Sequence, residues 1–373
     1  MAGSMIRLRS AAARFNPARL ARRLRRRFAL DRELRAHAQG RAVPSAAPAL
    51  EFPRDEAELR KTKFFRDWWY YDVELMPGVI AKGIYASDSP MLPRLHLRDC
   101  DLRGASCLDI GTMEGLIPVV MKRGGAADVV AVDAVDHCAE KMAAVRHYYD
   151  VDFEFRSVGL MYDLYKKLPG RAFDLINCSG LLYHVVSPLH VLMGLRPLLK
   201  RNGLLIVSTP VVNEEGFRMS FNNAGRIQRE VNTFWYVTVR LLDYMLRYLK
   251  LAPIAARYYA LESLNPHARL LFDERAGYLS VVCRAVGEVR PEPDDEWMVD
   301  SALHSWEYRG LADWDLADSQ PKSSIAFRRP PERALWNERT DTLDLWKAVN
   351  EGAPTPLSDA PGENHTLRLS DRF

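Results

Sequence analysis

The chain has 373 residues, is 48% hydrophobic and 27% charged, and carries a formal net charge of +4. That is room for one large domain with additions or for two, with the composition of a soluble globular protein. No apolar run approaches the length of a transmembrane helix. The five cysteines (Cys100, Cys107, Cys138, Cys178, Cys283) lack metal-ligand spacing, so they read as free thiols of a cytoplasmic protein and not as a disulfide framework.

The charge is uneven. Residues 1–41 hold twelve Arg against two acids, Asp31 and Glu33, which leaves the remainder slightly acidic. Met1–Ser4 read as an expression remnant ahead of Met5. Residues 5–37 form an amphipathic helix candidate, with Leu20, Leu24, Phe28 and Leu34 on one face and Arg22, Arg23 and Arg25–Arg27 around it. Three readings stand side by side: an arm lying on an anionic membrane surface, an arm holding RNA phosphates, or a solvated, partly disordered arm. A transit peptide has the same composition. Ala42–Leu50 reads as a linker, closing a first segment at residue 50. Residues 51–100 are expected to be a helical cap with an aromatic cluster, Phe64, Phe65, Trp68, Trp69, Tyr70 and Tyr71. The cluster is either core packing or, through Trp68, Tyr71 or Tyr85, a pocket wall able to hold a cation.

An α/β domain is expected over 101–287, with strands at 106–110, 128–132, 152–156, 172–178 and 203–208. Helices at 114–123, 136–149, about 160–167 and 187–200 alternate with them, the last stopped by Asn202-Gly203. The strands are near-continuous apolar runs, as in a parallel sheet covered on both faces. An irregular insertion, 211–233, carries Asn213, Asn222, Asn223 and Asn232. Phe234–Leu249 reads as a helix, and 253–261 and 278–284 as an antiparallel pair at the sheet edge. From Glu288 the chain holds eight of 22 prolines and five of eight tryptophans. This extension, 288–373, is expected to wrap the main domain through Trp297, Trp306, Trp314, Trp336 and Trp346.

The chemistry centres on Ser106–Gly115, Ser-Cys-Leu-Asp-Ile-Gly-Thr-Met-Glu-Gly, followed by a strand ending on Asp133. A strand, a glycine loop, a helix and a second strand ending on an acid make the nucleotide-binding half of a doubly wound fold. Glycine admits a ligand close to the backbone, and the second acid can accept both ribose hydroxyls. Asp109 and Glu114 would repel a pyrophosphate and suit a cation such as the ammonium and sulfonium of S-adenosylmethionine. The segment resembles motif I of the class I S-adenosylmethionine-dependent methyltransferases. Phe-Asp-Leu-Ile-Asn-Cys-Ser-Gly-Leu-Leu-Tyr-His-Val-Val-Ser-Pro, residues 173–188, is similar to the subgroup that includes the bacterial tRNA wobble-uridine carboxymethyltransferase.

The resemblance implies a seven-stranded Rossmann-like methyltransferase sheet and places the cofactor. Gly111 approaches the cofactor, Asp109 and Gly115 of the same loop bind it, and Asp133 and Ala134 hold the ribose. Leu160 and Met161 flank the adenine, and Ser179 and Tyr183 face the sulfonium and methionine portion. Glu114 either meets the cofactor ammonium or is a solvent-facing acid of the first helical turn. His184 is the candidate general base, and Tyr183 positions the substrate or stacks on the cofactor; the alternative for both is packing. His137, His147 and His190 read as helix residues without a catalytic role, and Asp174 as structural. Ser87–Met91 stand where the carboxymethyltransferase has a Trp-Lys stretch, which favours ordinary methyl transfer. The expected activity is in-line methyl transfer to oxygen or nitrogen of a small molecule or glycan. A tRNA acceptor and a non-catalytic scaffold are the alternatives.

Overall fold

The computed structural model describes residues 50–83, 96–222, 233–260, 276–287, 321–328, 333–338, 341–352 and 366–370. The expectations for the Arg-rich arm, Tyr85, Ser87–Met91, Asn223, Asn232, Trp297, Trp306 and Trp314 lie outside these. None of the described helices is long and apolar enough to cross a membrane.

The described chain opens with one-turn helices α1 (Glu56–Leu59) and α2 (Lys63–Arg66), N-capped by the side chains of Asp55 and Thr62. The hairpin β1 (Asp72–Met76) and β2 (Val79–Ala81) follows. The cap is therefore not purely helical. Pro77-Gly78 between two apolar runs turns the chain back, with Gly78 at φ 78°.

The main body alternates β3 (Ser106–Ile110), α3 (Leu116–Arg123), β4 (Asp128–Asp133), α4 (Ala139–Tyr149), β5 (Glu154–Ser157), α5 (Leu164–Lys167), β6 (Phe173–Ser179), α6 (Pro188–Leu195) and β7 (Leu199–Val212). Then come β8 (Met219–Phe221), β9 (Trp235–Thr238), α7 (Val239–Tyr248), β10 (Leu251–Ala260) and β11 (Ala276–Ala285). The sheet runs β10-β11-β7-β6-β3-β4-β5, and along this path β11 alone runs opposite to the other strands. This is the expected doubly wound, seven-stranded sheet.

Alternation along each buried strand feeds two cores. Leu108, Val130, Ile176 and Leu205 face one side, with α5, α6 and α7. Cys107, Val129, Leu175 and Leu204 face the other, with α3, α4 and the cap. Burial on both faces explains runs such as Val129–Val132.

Two boundaries differ from the sequence reading. Trp235–Thr238 is a strand, because aromatic and β-branched side chains fit a pleated surface, and the helix starts only at Val239. Thr238 makes the switch: its Oγ1 accepts from Leu241 N at 3.4 Å and donates to Gly216 O at 2.7 Å. β9 pairs with β7 and β8, so the 211–233 insertion is partly sheet. Asn202-Gly203 does not stop a helix, since α6 ends at Leu195; Asn202, at φ 63°, instead lies within β7.

The later segments return to this body. α8 (Leu345–Asn350) and the short pair β12 (Trp336–Asn337) and β13 (Thr342–Leu343) lie against β10 and α7. There Arg247 Nη1 donates to Thr342 Oγ1 at 2.7 Å and the Arg240 guanidinium sits 4.8 Å from the Trp346 ring centre. β14 (Thr366–Leu367) pairs with β1. Asp174 is the structural junction. Its carboxylate accepts from Ser106 N at 2.9 Å, Lys200 Nζ at 2.7 Å and Ser323 Oγ at 2.8 Å, tying β3, β7 and the extension to β6.

Two predictions follow from these contacts. Trp69 is fully buried and its Nε1 donates to Phe64 O at 3.0 Å. Trp69→Ala should cost about 3–5 kcal/mol in urea unfolding, through the cavity and the lost hydrogen bond. For Asp174, burial raises the carboxyl, but Lys200, Ser106 and Ser323 outweigh it and hold it below the usual range. A depressed carboxyl gives stability that is present at neutral pH and lost as pH falls below about 4. The stability gap between wild type and Asp174→Asn should therefore be largest near pH 7 and close as unfolding is measured toward pH 3.

Candidate functional site

The parallel order reverses between β3 and β6, and ligands of such sheets bind outside the carboxyl ends of the strands at that point. The loop after β3 folds back over β4. Gly111 N and Thr112 N both donate to Val132 O, at 2.9 and 3.2 Å. Met113 N then donates to Asp133 Oδ2 at 3.0 Å, while Ala134 N takes Oδ1 at 2.7 Å. The Asp133 carboxylate is thus fixed at the tip of β4 by backbone N–H groups on both of its oxygens. Burial pushes its pKa up, against the Met113 N–H and the nearby His137.

The two loop glycines serve different needs. Gly111 is at φ 73°, and a Cβ there would meet only Leu181 Cδ1, at 3.8 Å, so its backbone is open to a ligand. Gly115, at φ 83°, would place a Cβ 2.9 Å from Phe153 Cζ and 3.3 Å from Met142 Cγ. A side chain there would be crowded at the start of α3. Asp109 also works from behind the loop. It is 2% exposed, accepts from Asn177 Nδ2 at 2.7 Å, and burial raises its carboxyl to about 6.

Glu114 is not a solvent-facing acid of a helical turn. It precedes the helix and is fully buried, and its Oε1 accepts from Tyr70 N at 2.8 Å and faces Lys141 Nζ at 3.4 Å. Lys141 in turn lies 4.4 Å from the Trp68 ring centre and 5.5 Å from that of Trp69, and donates to Trp68 O. The aromatic cluster of the cap is therefore latched to the glycine loop through a buried ion pair. Glu114 Oε2 is buried with no hydrogen-bond partner, and burial raises its pKa despite Lys141.

At the far wall, Ser179 Oγ donates to Asn177 Oδ1 at 2.6 Å. Tyr183 is 8% exposed and its ring centre lies 4.0 Å from that of half-buried His184, both on the turn Leu182–His184. Phe234 N donates to Tyr183 O at 2.7 Å, so the β8–β9 insertion is tied to that turn. Leu160 is 62% exposed, free to cover a flat ligand, whereas Met161 is packed into the core at 4%. His137 is exposed in the turn before α4, not in the helix as expected, and stacks toward Trp68 at 6.5 Å.

The open backbone at Gly111, the preset acid at Asp133 and the exposed Leu160 fit an adenosine-bearing cofactor. Sequence reasoning missed Asn177 and Lys141. A polar side chain inside the buried run Leu175–Cys178 was a usable signal for Asn177, since interior amides are kept only when bonded. The partner of Glu114 lies 27 residues on, at a distance no local pattern reports.

Residues 87–247 match the family model described as "Methyltransferase domain". A ubiquinone biosynthesis O-methyltransferase from Neisseria meningitidis serogroup C is 30% identical over 169 residues, covering 44% of this chain and 66% of that protein. A tRNA U34 carboxymethyltransferase from Pseudomonas paraeruginosa is 37% identical over 114 residues, covering 30% of this chain and 34% of that protein. Among solved structures, the N-terminal domain of EvdMO1 with SAH bound is 16% identical with a TM-score of 0.44, over 64% of this chain and 100% of that one. The chain spans less than two thirds of the length of these curated relatives. Residues 87–247 are thus similar to methyltransferase domains and lie within the doubly wound α/β fold described above.

Proposed function

We propose that the chain transfers a methyl group from S-adenosylmethionine to an oxygen or nitrogen of a small-molecule or glycan acceptor. The observation that carries this reading is the Asp133 carboxylate, preset by Met113 N–H and Ala134 N–H beside the open backbone of Gly111. Asp133 and Ala134 would hold the ribose, Gly111 the methionine portion, and Leu160 the adenine face. When bound, the cofactor supplies a methyl group already activated on a sulfonium. The residues of the chain then need to align an acceptor and keep water out. Tyr183 and His184 form the wall from which an acceptor would be positioned, with the His184 imidazole as the group that takes a proton from a hydroxyl or ammonium. The Neisseria relative, named for O-methylation in ubiquinone biosynthesis, supports an oxygen acceptor on a small molecule. Ser87–Met91, without Lys or Trp, supports methyl over carboxymethyl transfer.

A second reading, methylation of tRNA, draws on the similarity to the tRNA U34 carboxymethyltransferase and on the twelve Arg of residues 1–41. Phosphate contacts by that arm would make binding fall steeply with salt.

Calorimetric titration of S-adenosylmethionine and S-adenosylhomocysteine should give micromolar-range binding to wild type. Asp133→Ala should weaken both at least tenfold, because each loses the same diol contact. Failure of either ligand to bind wild type would overturn the enzyme reading in favour of a scaffold. Fluorescence titration of bulk tRNA at 50 and 200 mM salt separates the acceptors: tight, salt-sensitive binding by wild type, lost on deleting residues 1–41, would favour tRNA.

A further inference from the structure

Among the described residues, the exposed large hydrophobic side chains are Trp68, Leu160, Val186, Phe217, Met219 and Phe221. Leu160, Val186 and the segment 217–221 follow the carboxyl ends of β5, β6 and β7, and Trp68 lies in the cap beside the glycine loop. The strand starts are bordered by charge instead, with Arg103, Arg171, Arg201 and Lys322 beside them. A single exposed hydrophobic residue is ordinary, but their confinement to the rim of one crevice marks that rim as a contact surface.

Most of this surface belongs to the ribbon β8–β9. Cross-strand partners share a face, so Met219, Val237, Phe221 and Trp235 lie on one side and Ser220 and Tyr236 on the other. The first face is wholly apolar. At its inner end Val237 is buried in the core that holds Leu181 and Leu182. At its outer end Phe221 is 54% exposed, with its ring centre 5.0 Å from that of Trp235. Two hydrogen bonds fix this end beside the turn Leu182–His184. Phe234 N donates to Tyr183 O at 2.7 Å, and Trp235 Nε1 donates to Val186 O at 2.8 Å. The second bond also uses the only polar atom of the indole. Val186, Phe221 and Trp235, with Met219 behind them, thus form a preset shelf whose side chains have no donor or acceptor to offer.

We propose that this shelf determines acceptor specificity: it receives an apolar aryl or alkyl portion of the molecule whose nucleophile lies at Tyr183 and His184. The inference rests on the methyl-transfer reading above and deepens it, because it selects an apolar small molecule over a glycan. A sugar needs side chains that bond its hydroxyls, and this face has none; an alkyl or aryl group needs only area removed from water. Continuity with the turn that carries Tyr183 and His184 assigns the face to the acceptor. Other occupants fit less well. β8 has three residues, the very short edge with which proteins avoid pairing to another chain. An anionic lipid surface would meet exposed Glu215, and the nearby Arg218 is already paired with Glu214 at 2.8 Å.

The test is calorimetric binding of a para-alkylphenol series, methyl to hexyl, to the full chain saturated with S-adenosylhomocysteine. Wild type should bind about twofold tighter per added methylene, since full burial of a methylene gives about fourfold and a shelf covers one side. Phe221→Ser and, independently, Val186→Ser should reduce that gradient to about 1.4-fold per methylene. Both side chains are exposed, so the melting temperature should stay at the wild-type value in at least one variant. His184→Ala should weaken every member about threefold and leave the gradient unchanged, because it acts at the hydroxyl end. A gradient absent from wild type, or retained in both serine variants, overturns the proposal. Methyl glycosides bound more tightly than hexylphenol overturn it too. Self-association in sedimentation, or flotation with phosphatidylcholine vesicles, that Phe221→Ser abolishes would give the face to a second copy or a lipid surface and equally overturn it. Failure of wild type to bind S-adenosylhomocysteine is a separate result that removes the methyl-transfer reading, and this inference with it.

Discussion

The structure depends most on the return of the loop 111–115 over the tip of β4, and within it on the hydrogen bond from Met113 N to Asp133 Oδ2. Met113 sits at φ 49°, in the left-handed region, between glycines at 73° and 83°. A non-glycine residue there costs on the order of 1 kcal/mol. The bond to a buried, ionisable acid offsets that cost, and in the same step it aims the carboxylate. Loop shape and acid orientation are therefore one constraint. Glu114, the next residue, fastens the other side of the loop to the cap through Tyr70 and Lys141.

That second fastening explains why the cap belongs to the site. A buried ion pair contributes little net stability once desolvation is counted, but breaking one leaves an uncompensated charge inside. Here Lys141 is also placed over Trp68 and near Trp69, where an indole face offers a further partner to a desolvated ammonium. The loop cannot shift without disturbing the segment Trp68–Tyr70. The segment in turn sits in the cluster that holds Trp69 and the first core helix of the sheet. Geometry at the crevice is thus linked by packed contacts to the first described residues of the chain, and β14 beside β1 extends the same linkage to the end of the described chain.

Much of this was legible in sequence because burial on both faces leaves apolar runs that local reading detects. The strand of Cys107 and Leu108, the strand ending at Asp133 and the edge pair were found within a few residues. What escaped has common physical causes. The hairpin at Pro77-Gly78 was hidden by a strongly aromatic neighbourhood that suggested helix packing. Trp235–Thr238 merged with the amphipathic helix that follows. The two loop glycines look alike in sequence, yet one is open to a ligand and the other is pressed against Phe153. The pairing of Glu114 with Lys141 needs the helix α4 laid beside the loop. Ser179, Ser208 and Ser280 are each ordinary residues in their own strands; only the order of strands, with β11 inserted antiparallel beside β7, brings them into one row.

The placement of that row on one face also bears on why the cap is large. On the face toward α6 and α7 the carboxyl ends of the strands stay apolar, as at Cys178, Val207 and Leu279. On the cap face they turn polar, and His96 stands over Ser280 with Nε2 3.3 Å from its carbonyl oxygen. Buried polar groups hold one another more strongly where water does not compete for their hydrogen bonds. Ser208, Ser280 and Asn177 meet that condition because residues from the cap and from α3 and α4 close the sheet above them. Removing the cover would expose the row to solvent partners on every side. The cap therefore supplies the low-dielectric setting in which a buried carboxylate, an amide and three serines can act as one polar unit at the edge of the crevice.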